Sequence, residues 1–365
     1  MENPLLYQIG ITLIPGIGDV NGKRLISYCG SAEAVFKSSR KALSIIPGMG
    51  DSLVNNILSQ KVLERAEKEI KFIERNDIRA LYYQDENFPQ RLLNCYDHPL
   101  MLYYKGNADL NHSRIVAFVG TRNATDYGKT VCRELIDGLS GKDVLLISGL
   151  AYGIDSCAHR HSLESGIPTV GVLGHGLDKL YPSQNRKLSN EMIENGGLLT
   201  DFMSETKPDR ENFPKRNRIV AGMSDAVIVV ESDQKGGALI TAELANSYNR
   251  DVFAVPGRLG DTYSRGCNFF IKTNKAALIQ SAEDIAYIMG WDDKRERQQI
   301  QTELFVQLSE EEKVLFSLLS DSGTLSVDKL VIHSGITPSK VAAGLLNLEF
   351  KGLVQTLPGK QYKAL

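Results

Sequence analysis

Between residues 115 and 289, short apolar runs alternate with helix-length amphipathic patterns, and this alternation narrows the fold more than any other feature of the chain. Ile115–Val119, Val144–Ser148, Thr169–Leu173, Leu198–Thr200, Ala226–Val230 and Val252–Val255 read as strands. Helical spacing follows at Tyr127–Leu139, Ile154–Glu164, Asn185–Asn195, Leu239–Asn249 and Ala282–Met289. Strands that are apolar at nearly every position are buried on both faces, as in parallel sheets covered by helices. The alternation therefore predicts a parallel, doubly wound α/β sheet, with a ligand crevice at the carboxyl ends of its strands.

Glycine turns fall where that crevice would be. Gly120-Thr121-Arg122 follows the first strand, and Gly149-Leu150-Ala151-Tyr152-Gly153 follows the second. Gly174-His175-Gly176 follows the third, Gly236-Gly237 opens a helix, and Pro256-Gly257-Arg258 is expected to close the crevice. Glycine lets a ligand approach the backbone, and the next helix presents free N–H groups to an anion. Any one such turn is equally explained by the positive φ that tight connections need. The dinucleotide fingerprint Gly-x-Gly-x-x-Gly is absent at the first turn, which argues against a nicotinamide cofactor. Asp155 and His159 share a helical face, either as an acid–base pair or as a cap hydrogen-bonded to a histidine. In Asn212-Phe213-Pro214-Lys215-Arg216-Asn217-Arg218-Ile219, three cations crowd beside an aromatic ring. Fixed donors, clustered cations and a stacking ring suit a ligand made of phosphates and bases.

The formal net charge of −2 excludes a globally basic protein that coats nucleic acid, but leaves room for a local basic groove. The five cysteines are scattered without metal-ligand spacing, so reduced thiols in a cytoplasmic protein and no metal site are expected. No apolar run is long enough to span a membrane, and the N-terminus is a poor signal peptide.

At 365 residues the chain should hold two or three domains. In residues 1–76, Leu13-Ile14-Pro15-Gly16-Ile17-Gly18 recurs as Ile45-Ile46-Pro47-Gly48-Met49-Gly50, each copy followed by helical spacing. These resemble helix-hairpin-helix hairpins, which either touch nucleic-acid phosphates or simply join packed helices. Residues 77–290 form the core together with a connector rich in tyrosine. Its pairs Tyr82-Tyr83 and Tyr103-Tyr104 read as strand residues or as base-stacking platforms. Residues 291–303 read as a linker. Residues 304–365 show three helical patterns and a terminal hairpin, a winged-helix arrangement whose recognition helix offers only Lys340 and Lys351 as cations.

The order of these motifs, from Val119-Gly120-Thr121-Arg122 through Ser148-Gly149-Leu150-Ala151, Gly153-Ile154-Asp155, Phe213-Pro214-x-Arg216-Asn217-Arg218 and Gly236-Gly237 to Gly266-Cys267-Asn268, resembles the DNA processing protein A (DprA/Smf) family. The likeness covers the core and connector. It implies a Rossmann-like core flanked by an N-terminal helical (helix-hairpin-helix or SAM-like) domain and a C-terminal winged helix. It further implies a non-catalytic, homodimeric protein that binds single-stranded DNA, protects incoming strands and helps load the RecA recombinase, as in natural transformation. The expected DNA-binding residues are Gly120, Thr121, Arg122, Gly149, Ala151, Gly153, Phe213, Lys215, Arg216, Asn217, Arg218, Gly236 and Gly237. No cofactor and no membrane partner are expected. The rival reading is a nucleotide-processing enzyme of the lysine-decarboxylase-like phosphoribohydrolase type, with Glu243 as the catalytic acid after the Gly236-Gly237 turn.

Overall fold

The computed structural model describes residues 3–59, 61–291 and 308–365. It opens with six short helices, α1 (Pro4–Leu13), α2 (Asp19–Cys29), α3 (Ala32–Lys37), α4 (Arg40–Ser44), α5 (Asp51–Ser59) and α6 (Val62–Arg75). Their starts are set locally: the side chains of Asn3, Ser31 and Ser39 cap α1, α3 and α4. In the two Pro-Gly hairpins, Gly16 and Gly48 adopt φ of 80° and 84°, a region glycine enters without a steric penalty. Each hairpin is tied to the helix that follows the other. Asn56 donates to the Pro15 carbonyl at 3.0 Å, and Arg24 donates to the Pro47 carbonyl at 3.1 Å. The sequence repeat is thus a spatial repeat as well.

Next come β1 (Arg79–Tyr82), α7 (Gln90–Leu93), β2 (Met101–Gly106), β3 (Ile115–Val119), α8 (Asp126–Leu139), β4 (Leu145–Ser148), α9 (Ile154–Glu164), β5 (Thr169–Val172), α10 (Arg186–Glu194) and β6 (Gly196–Thr200). Then follow α11 (Asn212–Met223), β7 (Ala226–Val229), α12 (Gly237–Ser247), β8 (Asp251–Ala254), α13 (Arg265–Lys272), β9 (Ala277–Leu278) and α14 (Ala282–Met289). The strands form one sheet in the order β1-β2-β6-β5-β4-β3-β7-β8-β9. β6, β5, β4, β3 and β7 run parallel, as the apolar runs predict. The connector adds an antiparallel edge, β2 on β6 and β1 on β2, so the sheet is mixed rather than wholly parallel. Tyr82, Tyr103 and Tyr104 are buried in this edge as strand residues rather than stacking platforms, whereas Tyr83 lies half-buried in the turn just after β1. The Tyr104 hydroxyl donates to the Gly196 carbonyl at 2.6 Å.

Ile115, Ala117, Ile147, Val170, Val227 and Val229 contribute to the central core. A second core joins Ile9, Leu25, Val54 and Ile57 of the N-terminal helices to Tyr82, Met101 and Tyr103 of the sheet edge. Residues 1–248 with 252–282 form one compact unit, and residues 249–251 with 283–365 form another.

In the second unit, α15 (Glu310–Ser322), β10 (Thr324–Ser326), α16 (Val327–Ser334), α17 (Pro338–Phe350), β11 (Val354–Leu357) and β12 (Gln361–Ala364) make the winged helix. Its three strands lie in the order β10-β12-β11. Ser309 and Glu312 form a capping box at the start of α15. Lys340 pairs with Glu311 at 2.7 Å and Lys351 with Glu312 at 2.6 Å, so both cations of the recognition helix and its end are neutralised within the domain. The charged stretch Asp292–Gln301, expected as a linker, lies outside the described residues. Among those residues no helix is long and apolar enough to cross a membrane.

Candidate nucleic-acid interface

Strand order reverses at β3: its sequence neighbour β4 lies on one side and β7 on the other. The loops leaving β3 and β7 therefore diverge and leave a crevice at their carboxyl ends. Its volume is about 490 Å³. Gly120, Thr121 and Arg122 line it from β3, Gly149, Ala151 and Asp155 from β4 and α9, and Ser232 and Asp233 from β7. Phe213, Arg216 and Asn217 of α11 and Gly236 and Gly237 at the start of α12 complete the walls. The loops brace one another: Thr121 N–H donates to the Glu231 carbonyl at 2.7 Å, and Ile154 N–H donates to the Thr121 carbonyl at 3.2 Å.

The glycines divide into two kinds. A Cβ on Gly120 would stand 2.4 Å from Ile154, and one on Gly149 would stand 2.2 Å from the Arg216 guanidinium. Gly153 has φ of 78° and faces the Thr121 carbonyl, while Gly236 packs on Ser232. These four are required by backbone geometry and close packing. Gly237 has nothing within 4 Å of a built Cβ, so its backbone is open to the crevice. Beside Gly149, Leu150 holds φ of 55°, an uncommon conformation for a branched residue, while its side chain is fully buried.

The cluster 212–219 lies on α11, a helix absent from the sequence pattern because Pro214 interrupts the apolar period. Proline is tolerated there in the first turn. The helix separates the cations. Arg216 is 4% exposed, and its guanidinium donates to the Gly149 carbonyl at 2.6 Å and to the Val172 carbonyl. Burial lowers its pKa, opposed by Asp155 nearby. It forms a floor that ties the ends of β4 and β5 together. Arg218 turns away from the crevice and bonds Asp201 at 2.8 Å and Asp19 at 2.9 Å. Burial alone would lower its pKa, but the two carboxylates raise it overall. Lys215 is exposed but does not line the crevice. The expectation that this cluster presents its cations together is therefore corrected: of the three, only Arg216 reaches the crevice, and it does so as a brace.

Arg122 is exposed and lies over the Phe213 ring, 5.1 Å from its centroid. It has no ion-pair or hydrogen-bond partner among the described residues; the Asp155 carboxylate accepts from Ala151 N–H instead. Arg210 and Lys235 also line the crevice, exposed and without such partners among the described residues. Sequence reading left both outside the site. Lys235 stood beside the Gly236-Gly237 turn, which was the signal for it, whereas Arg210 sits in a charged loop with no periodicity.

Asp155 and His159 do not meet, and neither reading of the pair holds. His159 is fully buried and its Nδ1 lies 2.7 Å from the Thr169 hydroxyl. Burial pushes its pKa down to about 3. His175 is likewise internal, accepting at Nε2 from Tyr181 N–H at 3.2 Å. Glu243, the acid of the rival enzyme reading, lies off the crevice and pairs with Lys275 at 2.5 Å.

A family profile described as DNA recombination-mediator protein A matches residues 79–290, and one described as DprA winged helix domain matches residues 304–360. Protein Smf of Synechocystis is 32% identical over 391 residues, covering 98% of each chain. DNA processing protein DprA of Bacillus subtilis is 41% identical, covering 57% of this chain and 70% of its own. The crystal structure of DNA processing protein A from Streptococcus pneumoniae superposes with a TM-score of 0.68 at 31% identity, covering 79% of this chain and 98% of that one. A Helicobacter pylori DNA processing protein A structure, solved to explain its single-stranded DNA binding mode, gives a TM-score of 0.54 at 30% identity, covering 59% and 96%.

Proposed function

The chain belongs to the DNA recombination-mediator protein A (DprA/Smf) family, and from that premise we propose that it binds single-stranded DNA in the crevice and acts as a recombination mediator. The observation that carries the reading is Arg122 held over Phe213 at a crevice where Arg210 and Lys235 are the other cations without an ion-pair or hydrogen-bond partner among the described residues. A guanidinium on a ring offers a phosphate contact and a flat face for a base, and unpaired cations displace counterions from the backbone. None of these groups reads base edges, so sequence preference is slight. The single-stranded DNA binding of the Helicobacter pylori relative supports the same reading. In this account the bound strand is protected and passed to RecA, as in natural transformation, by a cytoplasmic homodimer without catalytic activity.

Fluorescence anisotropy with single- and double-stranded oligonucleotides over a salt series tests it. Single strands should bind above duplex. Three free cations imply a log–log salt slope of about −2. Equal duplex binding, or a flat salt response, overturns the crevice as the site. Hydrolysis of a nucleoside monophosphate by the purified protein, abolished by Glu243→Gln, would establish the enzyme reading instead.

A further inference from the structure

Pro256, Gly257 and Arg258, expected to close the crevice, do not line it; their loop, Pro256 to Tyr263, reaches it only through Tyr263. The loop walls a second groove, of about 770 Å³, whose opposite side is Tyr127 at the start of α8. Tyr263 lines both cavities, so the groove adjoins the crevice at this ring beyond the end of β7. Tyr127 is 49% exposed, and its hydroxyl donates to the Pro256 carbonyl at 2.8 Å. The Tyr263 hydroxyl accepts from Asn123 Nδ2 at 3.2 Å. Both phenols are thus engaged within the protein, which fixes the rings and leaves apolar surface toward the groove. A ring fixed in this way can stack on a partner with little further loss of side-chain entropy. Arg258 stands on the rim, exposed, its side chain without an ion-pair or hydrogen-bond partner among the described residues. The groove holds carboxylates too. Glu231 at its floor is 3% exposed and accepts from Thr125 N–H at 3.0 Å and the Thr125 hydroxyl at 2.5 Å. Asp261 is exposed on the loop. This charge distribution disfavours phosphates on the floor and favours them at Arg258, with bases turned inward.

We propose that this groove extends the nucleic-acid track: a single strand leaving the crevice past Tyr263 stacks its bases on Tyr127 and Tyr263 and sets a phosphate on Arg258. The inference rests on the reading of the crevice as a single-stranded DNA site. Continuity through Tyr263 selects a strand as the occupant over a second copy of the chain or another protein.

The test compares oligonucleotides of about 5 and about 16 nucleotides, one confined to the crevice and one long enough to reach the groove. Tyr127→Ala should weaken the longer strand roughly tenfold and leave the shorter unchanged. Tyr127→Phe, which keeps the ring but loses its bond to Pro256, should retain most of the longer strand's affinity. Arg258→Ala should weaken the longer strand alone and reduce its salt slope by about 0.7. If Tyr127→Ala and Arg258→Ala leave both lengths unaffected while Arg122→Ala weakens both, the groove lies off the track and the crevice reading stands. If Arg122→Ala weakens neither, the crevice reading falls and this extension with it. If the groove variants change only the sedimentation of the free protein, the groove belongs to contacts between copies and the proposal is overturned.

Discussion

The guanidinium of Arg122 lies over the ring of Phe213, 5.1 Å from its centroid, joining the loop after β3 to the first turn of α11. Because Arg122 has no ion-pair partner among the described residues, the proposed function expects its removal to take away a ligand contact rather than a brace. Arg122→Ala should weaken single-strand binding by on the order of 1–3 kcal/mol, and Arg122→Lys should restore only part of that, since lysine keeps the charge but loses the flat fork. The melting temperature should stay close to that of the unaltered protein. A fall in melting temperature with affinity unchanged would make Arg122 a structural residue.

On the proposed function the free cations lining the crevice are ligand contacts and the ion-paired Arg218 behind it is a brace, and the two kinds should separate under mutation. Arg210→Ala and Lys235→Ala should each weaken binding and reduce the salt slope by about 0.7, with little change in stability. Arg218→Ala should behave oppositely. It strips the partner from Asp201, whose carboxyl burial already raises in pKa, and from Asp19. Removing one side of a buried pair costs about 3–5 kcal/mol. Urea denaturation and anisotropy on the same preparations distinguish these outcomes. An Arg218→Ala protein of unchanged stability and lost affinity would return that residue to the binding surface.

Most of the fold was legible because burial on both faces leaves a strong apolar signal: β3, α9 and α14 fall on the residues the pattern marks. The antiparallel edge was not, because periodicity identifies a strand but not its neighbour, and β2 pairs with a strand roughly a hundred residues later. The site was legible as motifs and illegible as roles. Gly149 and Gly237 look alike in sequence, yet one packs on Arg216 and the other faces open space. Arg216 and Arg218 look like ligands because clustered charge reads as surface. Their partners, the carbonyls of Gly149 and Val172 and the carboxylates of Asp19 and Asp201, come together only on folding.

His159 gives the protein a stability that depends on pH. The Thr169 hydroxyl donates to the Leu146 carbonyl at 3.2 Å, so it accepts from His159 Nδ1–H, and Nε2 is left buried without a partner among the described residues. A proton on Nε2 would add an unpaired charge near Arg216, which with burial holds the pKa at about 3. The unfolded chain binds that proton below a pKa of about 6.5. The depressed histidine therefore destabilises the fold progressively as pH falls through 6.5 toward 3, by about 2 kcal/mol at pH 5 relative to neutrality. His159→Gln abolishes this uptake. The stability gap between the unaltered protein and His159→Gln, measured by urea unfolding, should shrink by about that amount from pH 7.5 to pH 5. An equal gap at both values would show that the folded protein accepts the proton.

Gly149 and Gly237 test whether the crevice meets its ligand through backbone or only through side chains. Gly149 needs no unusual φ; the restriction is space, since a methyl group would stand 2.2 Å from the Arg216 guanidinium. Gly149→Ala must push Arg216 off the Gly149 and Val172 carbonyls, and overpacking of this kind costs on the order of 1–3 kcal/mol. Its melting temperature should fall, with affinity following the folded fraction. Gly237 stands at the first position of α12 with room for a methyl group, and alanine is the better helix former. Gly237→Ala should therefore fold as well as the unaltered protein or slightly better. If a phosphate approaches the free N–H groups at the start of α12, that methyl group intrudes on it, and single-strand affinity drops while stability holds. Full affinity in Gly237→Ala would confine recognition to Arg122, Phe213, Arg210 and Lys235, and would remove the α12 N-terminus from the interface.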